Sequence, residues 1–190
     1  MAGANPPANV IAAFMAETTV HTRSVEIYES DGITRWAKDT ELRLKSGNIS
    51  IDYSRTERRA IDLVLSNDDG VLVTEAGEFW YDKIIKAFRG VVLEDGSTWK
   101  TQVGEFMIDR IVEGNFPHDV KITGRDYTKK CLKSKFERAT QFATGLALES
   151  IIGSIASNAG ISRRNLPATG VVVNKTFFFE RGVEIGRAHV

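Results

Sequence analysis

The sequence has one cysteine, Cys131, in 190 residues. A lone thiol excludes an internal disulfide framework, and a cysteine-based zinc site needs more thiolates. Histidine is nearly as scarce: His21, His118 and His189. None stands at metal-site spacing from a second His, Cys or carboxylate, so no metal and no cofactor is expected. Charge of one sign is not in excess, with Lys+Arg and Asp+Glu both at 25. No global field therefore recruits nucleic acid or an anionic membrane. No apolar run approaches the roughly 20 residues that span a bilayer, so stable membrane association is not expected. Motifs of catalysis are missing as well. There is no G-x-S-x-G elbow and no phosphate loop, and "GISRRN" and "GITRW" hold single glycines without the surrounding pattern.

What is present is ordinary globular composition, 42% apolar and 26% charged, on a chain long enough to bury a core. The patch "VIAAFMA" has no preceding Lys or Arg. It reads as a short amphipathic helix, with Val10, Ile11, Phe14 and Met15 on one side and Asn9 as its cap, rather than as a signal peptide. From about residue 20 the pattern turns to strands. "SVEIY" and "ISIDY" alternate apolar and polar, and "AIDLVLS" sets Ile61, Leu63 and Leu65 on one face. "NDDG" and "EDGS" supply turns. "TQVGEFMIDRIV" sets Phe106 and Ile108 against Met107 and Asp109, and "DVKITG" points Val120 and Ile122 one way. Strands separated by turns predict an antiparallel sheet closing into a barrel or sandwich.

At Gly124 the pattern changes. "RDYTKKCLKSKF" reads as a short helix capped by Asp126. "GLALESIIGSIASNAG" is the strongest helix, with a stripe of Leu148, Ile151, Ile152, Ile155 and Ala159, Thr144 as cap and Gly160 at its end. β character returns after "RRNLPATG". The fold class expected is α+β, mainly β. Its parts are an arm over 1–19, a tube-like antiparallel β domain over 20–124, a helical segment over 125–160 and the start of a truncated β region over 161–183.

The pairs Asp68 with Asp69 and Glu94 with Asp95 sit beside glycines and read as turn formers rather than a hydrolytic pair. His118, in "NFPHD", reads as a loop residue, and Cys131 as a small hydrophobe on its helix. Two cationic clusters remain. Arg55, Arg58 and Arg59 open a strand. Lys121, Arg125, Lys129, Lys130, Lys133, Lys135 and Arg138 face only Asp126 and Glu137, with Tyr127 the one aromatic well placed among them. These read as a solvated face or a charged subunit contact. Candidate interface residues are Arg55, Arg58, Arg59, Arg125, Tyr127, Lys129 and Lys130. Trp36, Trp80 and Trp99 could build a sugar-stacking platform, although they lie in different segments.

The order "ANVIAAFM", "TRSVEIY", "GNISIDYSRTERRAIDLVLSNDDGVL", "AFRGVVLEDGS", "VGEFMIDRI", "VKITGRDYTKKCLKSKF" and "ALESIIGSIASNAGI" resembles phage tail hub proteins, the baseplate-hub or minor-tail family of long-tailed phages. The resemblance runs to about Val183. It implies a non-enzymatic virion component at the tail tip or baseplate, assembled in the host bacterial cytoplasm. It also implies tube-like domains forming a pseudo-sixfold ring as a homotrimer. Implied partners are the tail tube, the distal tail protein, the tape measure and the tip or fibre proteins, with DNA as passing cargo. A carbohydrate-active or sugar-binding tail module, or a neighbouring tail protein such as the distal tail protein, is the alternative. Family members continue past this length. The ending "EIGRAHV" reads as an in-frame sequencing-adapter sequence, so residues 184–190 are expected to be non-native and to pack against nothing.

Overall fold

The computed structural model describes residues 6–16, 19–37, 43–52, 54, 59–72, 81–113, 119–162 and 166–182. The chain forms two compact units, one of Ala2–Tyr53 with Glu57–Asp126, the other of Tyr127–Val190 with Ser54–Thr56 and Met1. The expected non-native segment 184–190 lies outside the described residues.

The first unit opens with α1 (Ala8–Met15) and continues with β1 (His21–Tyr28), β2 (Leu44–Ile51), β3 (Arg59–Leu65), β4 (Ile84–Val92), β5 (Thr98–Glu113) and β6 (Val120–Arg125). The strands make one sheet in the order β1-β4-β5-β6-β3-β2, antiparallel at every pairing. The fold is mainly β with few, short helices. β1 and β2, at opposite ends of that order, line one groove, so the sheet curls into part of a barrel. It does not close: among the described residues β1 pairs along its length only with β4, and β2 only with β3.

The alternation in the sequence sets the core. Val25 and Ile27 lie opposite Ala87 and Ile85, and Phe106 lies opposite Ile85 in turn. Ile61, Leu63, Leu65, Phe106, Ile108, Val120 and Ile122 are all buried in this single cluster, on the face the pattern assigned to them. Two bulges tune the sheet. The first, between Ala87 and Phe88 in the register with β5, follows buried Gly104, where an added Cβ would lie 2.8 Å from Cε2 and Cζ of the Phe106 ring. The second, between Ile108 and Arg110, inserts one residue so that Ile111 turns inward while Arg110 is exposed. Asp109, the extra residue, bonds Arg125 on the neighbouring strand.

The turns use the expected chemistry. In the β4–β5 connection Gly96 takes φ +80, and Asp95 accepts the Ser97 N–H at 2.9 Å and its hydroxyl at 2.6 Å. In "NDDG", Asp69 accepts the Val71 N–H at 3.2 Å and Asp68 accepts the Ser66 hydroxyl. These carboxylates hold turns. The arm differs from its expected form. Pro7 is the N-cap of α1, Asn9 accepts only the adjacent Val10 N–H, and Val10 alone is buried.

The second unit holds α2 (Thr128–Lys133), β7 (Thr140–Phe142), α3 (Leu148–Asn158) and β8 (Phe177–Phe179). Strand β7 falls inside the stretch read as helical, and pairs antiparallel with β8. Together they bury Phe136, Phe142, Ile151 and Ala159, with Phe179 stacked on Phe136 at 4.9 Å between centroids. Cys131 packs partly buried against this cluster as a small hydrophobe. Neither helix has the expected residue at its N-cap position: Tyr127 precedes α2 and Ala147 precedes α3, and neither of these caps with its own side chain. Gly160 does take the left-handed conformation just past α3, with φ +71.

Candidate interaction site

The described cationic residues expected at an interface are divided between the two units. Arg55 and Arg58 lie outside the described residues. Arg59 opens β3, is exposed, and donates from Nη1 to the Val103 carbonyl at 3.3 Å. Arg125 is half-buried, its charge engaged by Asp109. Tyr127, Lys129 and Lys130 belong to the second unit, where the Lys130 ammonium lies 5.5 Å from the Tyr127 ring centroid. Trp36 is in the core at 6% exposure and cannot stack a sugar, Trp99 is half-buried with its ring edge-on to Phe14, and Trp80 lies outside the described residues. His21 is exposed beside Phe14, and His118 and His189 lie outside the described residues. Among the described residues no group of three His, Cys, Asp or Glu could hold a metal ion, and no helix is long and apolar enough to cross a membrane.

In the first unit a groove lies between the two sheet edges, with a volume of about 440 Å³. Its floor is apolar: Val25 from β1, Leu44 and Ile49 from β2, Ile61 and Leu63 from β3, Ala87 from β4. Among the described residues its charged lining is Arg23, Lys45 and Arg89, with no acidic residue. Arg23 and Arg89 lie directly opposite each other in the β1–β4 register, one step beyond Val25 and Ala87 on the same face. Both are exposed, and neither forms an ion pair among the described residues. Like charges directly opposite on adjacent antiparallel strands repel. Lys45 differs, held by Asp119 at 2.6 Å, which raises its pKa above the usual lysine value.

These arginines were not among the expected site residues, yet the sequence carries a trace of them. In Arg23-Ser24-Val25-Glu26-Ile27 and Ile85-Lys86-Ala87-Phe88-Arg89, an arginine holds the position where the alternation calls for an apolar side chain.

The other face of β1, β4 and β5 carries a neutralised ladder. Glu26 faces Lys86, and Lys86 faces Glu105. Lys86 lies 3.8 Å from the Tyr28 ring centroid and 3.7 Å from Glu105 Oε1. Burial pushes the Glu26 carboxyl up, but hydrogen bonds from Lys100 (2.7 Å) and the Tyr28 hydroxyl (2.7 Å) outweigh it, and the net shift is downward. Every charge here has a partner. This face is satisfied; the groove is not.

No family model matches the chain, and no curated protein matches it. Among solved structures, it is similar to the tail protein from Neisseria meningitidis MC58, with TM-score 0.43 and 16% identity, over 86% of this chain and 42% of that one. The chain therefore spans less than half the length of that protein, and a likeness of this size is no ground for a shared activity or partner.

Proposed function

We propose that the chain is part of a phage tail hub protein, a non-enzymatic structural component. In this reading it joins the tail tube and distal tail protein to the tip and lines the DNA conduit. The observation that carries the reading is the unclosed sheet: six strands curl towards a barrel, and among the described residues β1 pairs with another strand only on its β4 side and β2 only on its β3 side. Open edges invite pairing with other chains, and natural proteins cover them unless a neighbour does so. A ring of repeated subunits supplies such a neighbour at each edge. The ordered motifs resembling the hub family point the same way.

The carbohydrate reading is weaker on one specific point, since Trp36 is core and the turn carboxylates are bound to local N–H and hydroxyl groups. Light scattering on the full-length gene product, alone and with its distal tail partner, tests the proposal. A trimer that binds the partner is expected. A stable full-length monomer that degrades cell-wall glycan overturns it.

A further inference from the structure

We propose that the groove between β1 and β2 is a docking site for an extended acidic polypeptide segment, which pairs with the open edge of β1 and places a carboxylate on Arg23 and Arg89. The site does not depend on a tail role.

The backbone half of the site follows from alternation. The Val20 carbonyl accepts the Val92 N–H, so the even positions of β1 face β4, whereas the Ile27 carbonyl accepts the Trp36 N–H on the opposite side. Arg23 and Val25 share the parity of Ile27, so their N–H and C=O groups point out at the free edge. The Ile27 end is taken by Trp36, which among the described residues leaves an open edge from His21 to Val25. A strand added there gains main-chain hydrogen bonds, and its alternate side chains enter the groove.

Charge complementarity selects the segment. Among the described residues the groove lining holds three cations and no acid, and the two of these cations without an ion pair are the facing Arg23 and Arg89. A carboxylate placed there relieves their repulsion and is bound by planar donors suited to it. The adjacent position sits over Val25, Ala87 and Leu63 and takes an apolar side chain. Running antiparallel to β1, the segment reads apolar–x–acidic, with the apolar residue opposite Val25 and the acidic one opposite Arg23. A free inorganic anion satisfies the arginines but leaves both the edge and the apolar floor unused.

The test titrates the 190-residue chain, labelled with ¹⁵N, with the blocked peptide acetyl-Thr-Ile-Thr-Glu-Thr-amide. Amide shifts confined to β1, Arg89 and the groove-lining part of β2 are expected. Replacing the peptide's Glu by Gln, or methylating its edge-facing amides, should weaken binding at least tenfold on the unaltered protein. Arg23→Gln with Arg89→Gln should weaken it equally while melting no lower than the parent, because the like-charge pair is gone. Binding unchanged by these substitutions overturns the proposal. So do acetate or phosphate giving the same shifts at the same concentration as the peptide, or the same shifts appearing with protein concentration alone, which would make the occupant a second copy.

Discussion

The contact between Gly104 and Phe106 offers a test of how the core of the first unit is packed. Phe106 is completely buried, and its ring is folded over the space a side chain at position 104 would fill. An added methyl would lie 2.8 Å from two ring carbons, well inside normal contact, and the ring has no solvent to swing into. Gly104→Ala should therefore cost about 1–3 kcal/mol by overpacking. Phe106→Ala should cost about 3–5 kcal/mol, through lost burial and the cavity left behind. The informative measurement is the double variant. Once the ring is gone the methyl at 104 has room, so Gly104→Ala should cost close to nothing in the Phe106→Ala background. The coupling should be about 1–3 kcal/mol, within the range for residues in direct contact. Urea unfolding followed by far-ultraviolet circular dichroism gives all four corners of the cycle. Additivity of the two substitutions within about 0.5 kcal/mol would refute the packing described.

Other substitutions probe separate parts of the chain. Gly124→Ala brings a methyl to 2.7 Å from the Met107 carbonyl oxygen, a backbone atom, and should fall at the upper end of the same 1–3 kcal/mol range in urea unfolding. Asp69→Asn removes the charge from a bidentate contact, 2.9 and 2.7 Å, with buried Arg43, and should cost about 1.5–3 kcal/mol at pH 7. The hydrogen bond from Arg43 holds the Asp69 carboxyl below the usual aspartate value, so its contribution is present above that value and lost as pH falls through the depressed one. The gap between parent and variant should close on acidification, and a gap that persists to pH 2 would contradict this. Ile151→Ala, in the core of the second unit, should cost about 2–5 kcal/mol, read from hydrogen exchange of the α3 amides; a change under about 0.5 kcal/mol would place Ile151 outside that core.

Much of the sheet was legible because several strands bury alternate residues, as in Ile61, Leu63 and Leu65. The edge strand was harder. β2 begins at Leu44, but Lys45, Ser46, Gly47 and Asn48 are all exposed, so no alternation marks the first half of the strand. β7 was hidden for another reason: three residues, Thr140 to Phe142, are too few to show a period, and their pairing with β8 spans more than thirty residues of chain. The capping positions were misplaced because Asn9, Asp126 and Thr144 have the right chemistry near each helix start, yet the backbone enters the helices at Pro7, Tyr127 and Ala147, one to three residues away. The groove was illegible for a topological reason. Arg23 and Arg89 are 66 positions apart, and only the β1–β4 register sets them face to face.

The central proposal, that this chain serves as a phage tail component, is tested most directly by labelling virions released from cells that carry the gene with antibodies raised against the 190-residue chain and viewing them by electron microscopy. Labels gathered at the tail tip are the predicted result. Purified virions that carry no label at the tail, with the protein found only in the lysate, would contradict the account.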